Sequence, residues 1–146
     1  MTTTARRQLY AGEVAVGDVL DELVVQPTAV TLFRFSAVTW NPHRIHYDQA
    51  YAATEGYPGV IVHSHLHGSW LAQTVLQWAG PRARLREFSW QNRSYATVSD
   101  RLRCSGVVVA VDDNTVECEL HELNQNDVEC APGRALVELP TRGAEQ

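Results

Sequence analysis

Apolar residues fall at helical spacing through much of the first half of this 146-residue chain and at alternate positions through the second. Residues 13–30 hold a Gly-Asp turn and a short alternating strand, followed by Pro27-Thr28. Thr28 or Thr31 is positioned to cap a short helix running to Trp40, with Leu32, Phe35 and Ser36 on one face. Asn41-Pro42 ends that helix, because proline disfavours helical geometry in the residue before it. Asp48 can cap a second short helix over DQAYAATEG, closed by Gly56, and Tyr57-Pro58-Gly59 reads as a tight turn. Residues 60–62 then lead into the main helix, about Ser64 to Ala79. Its polar residues His65, Ser69, Gln73 and Gln77 recur every four positions, and nearly all the rest is apolar. Such a helix must be buried by something wrapped around it. Gly80-Pro81 stops it.

Beyond Pro81 the period becomes two. Residues 85–95, 101–111 and 115–124 alternate, and a fourth run covers 135–139. Turns are expected at 112–114 and 126–127, a short tail over residues 1–13 leading into the first strand, and a frayed tail over 142–146. The order of elements predicts an α+β fold, a curved antiparallel sheet around one long central helix. It is expected as a single domain over residues 1–146 with an ordered core about 8–140. A sheet this small leaves open edges, which pairing in a dimer would cover.

Composition narrows the function. Net charge is −5, no lysine is present and the arginines are scattered, so nucleic acid is a poor partner. No apolar run reaches eighteen residues, which argues against a membrane span, and the start does not read as a secretory signal. Three cysteines without metal-type spacing (Cys104, Cys118 and Cys130) predict buried free thiols in a reducing cytoplasm.

Five of the six histidines lie between positions 43 and 67. For His43, His65, His67 and His121 the simplest reading is a surface or satisfied core histidine. His46 differs, because it sits in a compact polar group, NPHRIHYD, between two helices. Proton transfer needs an imidazole held by a polar neighbour and open to a cleft.

The stretch FRFSAVTWNPHRIHYDQAYA, continued by EGYPGVIVHSHL, closely resembles the MaoC-like acyl-thioester dehydratases, in particular the branch of mesaconyl-CoA hydratases and 3-hydroxyacyl-thioester dehydratases. The resemblance extends over roughly residues 12–140 and is most specific in 33–66. It implies a hotdog fold and a hydro-lyase that reversibly dehydrates a 3-hydroxyacyl thioester or hydrates an enoyl thioester. His46 takes the position of the catalytic histidine. Asn41 stands where the wider family has an aspartate, so His46 would carry the acid–base work and Asn41 would hold the oxygen. The Ser64 N–H, at the start of the main helix, would bind the thioester oxygen. Ser64 replaces the family's usual glycine there, and His63 and His65 flank it. Arg44 could meet a substrate carboxylate or phosphate, or pair with Asp48 or Glu55. Tyr57 could border the acyl pocket or merely pack, and the four tryptophans are expected in the core or between subunits. No cofactor is implied beyond the CoA or phosphopantetheine of the substrate, and the expected partner is a second hotdog subunit, identical or not.

Three rivals stand beside this reading. A hotdog thioesterase would need a carboxylate to activate water, and only His63 and His65 lie near the helix start. A zinc site is conceivable, since His63 and His67 are one turn apart and His43 and His46 are close. Without HExxH or a clear carboxylate ligand, no metal is expected. A degenerate subunit that binds acyl thioester or completes a partner's site is the third, and Asn41 is its argument.

Overall fold

The computed structural model describes residues 7–143. Strand β1 (Leu23–Val25) is followed by helix α1 (Ala29–Thr39), a 3₁₀ turn (Arg44–His46), helix α2 (Gln49–Thr54), helix α3 (Ser64–Ala79) and strands β2 (Arg84–Trp90), β3 (Leu102–Asp112), β4 (Thr115–Leu123) and β5 (Glu129–Glu138). The five strands form one antiparallel sheet in the order β1-β3-β4-β5-β2. The sheet curves around α3, which touches all five strands.

The caps explain the helix starts. Thr28, not Thr31, takes the N-cap of α1, its side chain accepting the Thr31 N–H, and Asp48 caps α2 through the Tyr51 N–H. Trp40 closes α1 in the left-handed conformation, φ 56°, a geometry a bulky residue adopts only where its surroundings hold it. Alternation on β3 and β4 puts Cys104, Gly106 and Val108, with Val116, Cys118 and Leu120, against α3. Gly68 lets the β2 residue Trp90 lie on the helix, since a Cβ there would come within 2.6 Å of the indole. The polar stripe of α3 is real: His65, Ser69 and Gln73 face outward. All three cysteines are buried and free.

Three expectations need correction, and one short element is added. The 3₁₀ turn at residues 44–46 is an element the helical period could not register in three residues. Strand β2 stops at Trp90, so residues 91–95 lie outside the sheet despite their alternation. Strand β5 begins at Glu129, six residues before the run at 135–139. Pro132 masked its start, but Pro132 pairs with His121 just past the end of β2, which reaches only Gly133. Its carbonyl accepts the Gln91 N–H, so its missing N–H faces a side where no strand partner needs it. At the ends, Leu9 is buried and bonded to the Ala79 carbonyl, and Arg142, expected to fray, bonds to Glu13. The remainder of both expected tails, residues 1–6 and 144–146, lies outside the described residues.

Candidate active site

The start of α3 is approached by three segments. Residues 60–62 run extended between the 3₁₀ turn and the segment around Ala96. Ile61 N–H donates to the Ile45 carbonyl at 3.0 Å, and Val62 N–H to the Ala96 carbonyl at 2.8 Å. Ile61's own carbonyl faces His46, whose Nδ1 lies 2.8 Å from it. A carbonyl can only accept, so Nδ1 carries the proton and Nε2 keeps the lone pair. The backbone clamp thus also selects the tautomer.

His46 and His63 are both buried and stack face to face, ring centroids 3.7 Å apart and planes 17° from parallel. His63 Nε2 meets Ser36 Oγ from α1 at 2.8 Å. Among the described residues, His63 Nδ1 is the buried side-chain polar atom left without a hydrogen-bond partner. Burial pushes the His46 pKa down, with a smaller contribution from His43, against the opposing hydrogen bond to Ile61. Burial, followed by the neighbouring His46, His65 and His67, lowers His63 to about 4. Both rings are neutral near pH 7.

Asn41, half-buried, is joined to this pair through Ser36. Its N–H donates to the Ser36 carbonyl at 3.0 Å, and its Oδ1 accepts the His43 N–H at 3.1 Å. It lines a hollow of about 220 Å³ with Phe33, Ser36, Ala37, Trp40 and Tyr47, a lining without a formal charge. The first turn of α3 has no side-chain cap and no acidic residue. Its leading N–H groups are therefore open to an anionic oxygen, and the positive end of the helix dipole favours one.

The remaining predicted residues divide. Ser64 is the first helical residue, and its carbonyl accepts the Trp90 indole N–H at 3.1 Å. His65 is exposed, edge-on to Trp90. Arg44 is engaged by Asp48 at 2.6 Å and lies over the Tyr51 ring, and Tyr57 packs edge-on against Tyr95. Of the predicted residues Asn41 lines the hollow, and His46, His63, Ser64, His65, Arg44 and Tyr57 do not. Trp70 and Trp78 are core residues, whereas Trp40 is 88% exposed at the hollow's rim. His63 and His67 do not converge: His67 Nδ1 binds the Glu122 carboxylate inside the core.

Ser36 and Glu122 went unnoticed in the sequence as polar partners of histidines. For Glu122 a signal existed, since strand parity places it on the inward face with Val116, Cys118 and Leu120. For Ser36 there was only its place on the inner face of α1, which says nothing of a partner 27 positions away.

Comparison with known proteins adds three findings. A family model described as hydroxyacyl-thioester dehydratase type 2 matches residues 15–98. A mesaconyl-C(4)-CoA hydratase of Chloroflexus aurantiacus is 56% identical over 52 residues, 35% of this chain and only 18% of that protein's length. Among solved structures, the (R)-hydratase from A. caviae involved in PHA biosynthesis superposes with a TM-score of 0.83 at 24% identity, covering 89% of this chain and all of the other. The ChsH1–ChsH2 complex from Mycobacterium tuberculosis does so with a TM-score of 0.80 at 21% identity, covering 86% and 98%. These structural likenesses show the hotdog fold.

Proposed function

The chain belongs to the hydroxyacyl-thioester dehydratase type 2 family, and from that membership we propose that it reversibly hydrates an enoyl thioester carried on CoA or an acyl-carrier protein. The observation that carries this reading is the His46 Nδ1 hydrogen bond to the Ile61 carbonyl, which leaves a neutral imidazole with an available Nε2. In the dehydration direction Nε2 removes the proton alpha to the thioester carbonyl and delivers a proton to the departing β-hydroxyl. The thioester oxygen, gaining charge, is met by the first N–H groups of α3 at Ser64 and His65. Asn41 cannot exchange a proton, and its amide positions the hydroxyl or water. No further cofactor takes part in this scheme.

The hollow bounded by Phe33, Trp40 and Tyr47 receives the acyl group. It offers no counter-ion for a second carboxylate, and Arg44 is held by Asp48. The preferred acyl group is therefore uncharged. The working form pairs two hotdog subunits, identical or not, in the cytoplasm.

A panel of enoyl-CoA esters, with and without a terminal carboxylate, tests this reading by the loss of absorbance of the conjugated thioester. Hydration of uncharged chains, abolished by His46→Ala, is the expected outcome. Release of free thiol would make the protein a thioesterase. Turnover seen only with an added second hotdog subunit would make it one half of a shared site, the reading that Asn41 favours.

A further inference from the structure

We infer that Ser36 and His63 are positioning residues for His46, holding the plane of its ring through the stack and not by contact with the reacting atoms. The kinetic consequence rests on the hydratase reading; the geometry does not. One hydrogen bond, from Nδ1 to Ile61, fixes a direction for the His46 ring but not its tilt about that axis. The tilt is set by a second surface, the His63 ring stacked on it at 3.7 Å. His43 touches His46 only edge-on, at 6.1 Å, and so does not define its plane.

His63 must itself be held. It is 1% exposed, its Nδ1 has no partner, and its ring hydrogen bond is the one to Ser36 Oγ. Phe35 leans on it at 60°, a tilted contact. Without the Ser36 hydroxyl, both nitrogens of a buried imidazole would lack partners, an arrangement that side chains rotate to avoid. Rotation of His63 would uncover one face of His46.

The three residues come from α1, the residue before α3, and the 3₁₀ turn, so the stack also joins segments distant in the chain. Ser36 serves Asn41 as well, through its carbonyl. The groups acting electrostatically on His63 are His46, His65 and His67, all imidazoles. His67 has its own partner in Glu122, and the ring pair draws on no carboxylate.

The test is NMR of ¹⁵N-labelled His46, which needs no substrate, alongside kinetics on crotonyl-CoA. Ser36→Ala is expected to leave the His46 tautomer, which Ile61 holds, but to remove the ring-current shift that the stacked His63 ring gives the His46 ring protons and to move its titration midpoint up toward the ordinary histidine value. On the kinetic side, kcat falls about 10–100-fold while KM stays within about twofold. Ser36→Thr, which keeps the hydroxyl, restores both, and His63→Phe, which keeps a ring over His46, retains a ring-current shift that His63→Ala loses. A wild-type ring-current shift and midpoint in Ser36→Ala would overturn the inference, as would equal loss of that shift in His63→Phe and His63→Ala. If Ser36→Ala does not fold, the two His63 variants decide. Failure of the wild type to hydrate any thioester would sink the hydratase reading and leave the NMR result to judge positioning alone.

Discussion

His63 and His67 are the same residue type, one helical turn apart on one helix start, each 1% exposed, and they do different work. His67 faces β4 and pairs with Glu122, whose other carboxylate oxygen takes the Cys104 thiol at 3.5 Å. His63 faces α1 and the 3₁₀ turn, where it finds a hydroxyl and another imidazole. Burial alone therefore says little about a histidine's role; the partner decides. A carboxylate makes His67 a fixed element of the core. The neutral, incompletely bonded surroundings of His63 keep it uncharged beside a ring proposed to exchange protons.

The contrast breaks most visibly at Glu122. Glu122→Ala strands a buried polar partner and should destabilise the fold by about 3–5 kcal/mol in urea unfolding. The double variant His67→Leu with Glu122→Leu should recover most of that loss. If it does not, the pair does more than fill the core. His46→Ala is the counterpart at the other end of the comparison. Its kcat should fall about 10²–10⁴-fold while the unfolding midpoint falls less than in Glu122→Ala. A matching collapse of stability would make His46 a structural residue.

Acid separates the two sites next. Between pH 6.5 and about 4 the unfolded chain takes up a proton at His63 that the folded chain refuses. The stability present above pH 6.5 is therefore lost as pH falls through that window, by roughly 3 kcal/mol. Urea midpoints at pH 7 and 4.5 measure it, and His63→Phe should flatten the dependence; parallel loss in both proteins contradicts the assignment. The smallest effect lies outside both sites. Asp48→Ala removes the α2 cap and the Arg44 pair and should lower stability by about 1 kcal/mol, with kcat unchanged. A loss of turnover there would mean that the surface pair also positions the 3₁₀ turn.

Much of the fold was legible because local patterns and global packing agree. The apolar circumference of Ser64 to Ala79 demanded a wrapping sheet, and three alternating runs supplied strands of it. Thr28 and Asp48 announced their helices through short-range capping. The misses share a cause. Strand β5 was read short because Pro132 is judged by the bond it cannot make, and whether that bond is needed depends on where β2 ends. Residues 91–95 keep their alternation but leave the sheet at Trp90, a choice made by neighbours distant in the chain.

In the site, the sequence by itself determined the chemical inventory: histidines crowded into residues 43–67, an Asn where an acid would serve, a helix start free of acidic residues. The histidine crowding and the helix start are matters of composition and short spacing, and the place of Asn41 at an acid's position is what the family resemblance implies. Which histidine faces what was decided by tertiary structure alone. Ile61 reaches His46 across 15 positions, Ser36 reaches His63 across 27, and Glu122 reaches His67 across 55. Hydrogen bonds of that range depend on how α1, the 3₁₀ turn and β4 pack around α3, and no local rule carries that information. His63, which began as a neighbour of the oxyanion donor, became through that packing the surface against which His46 is held.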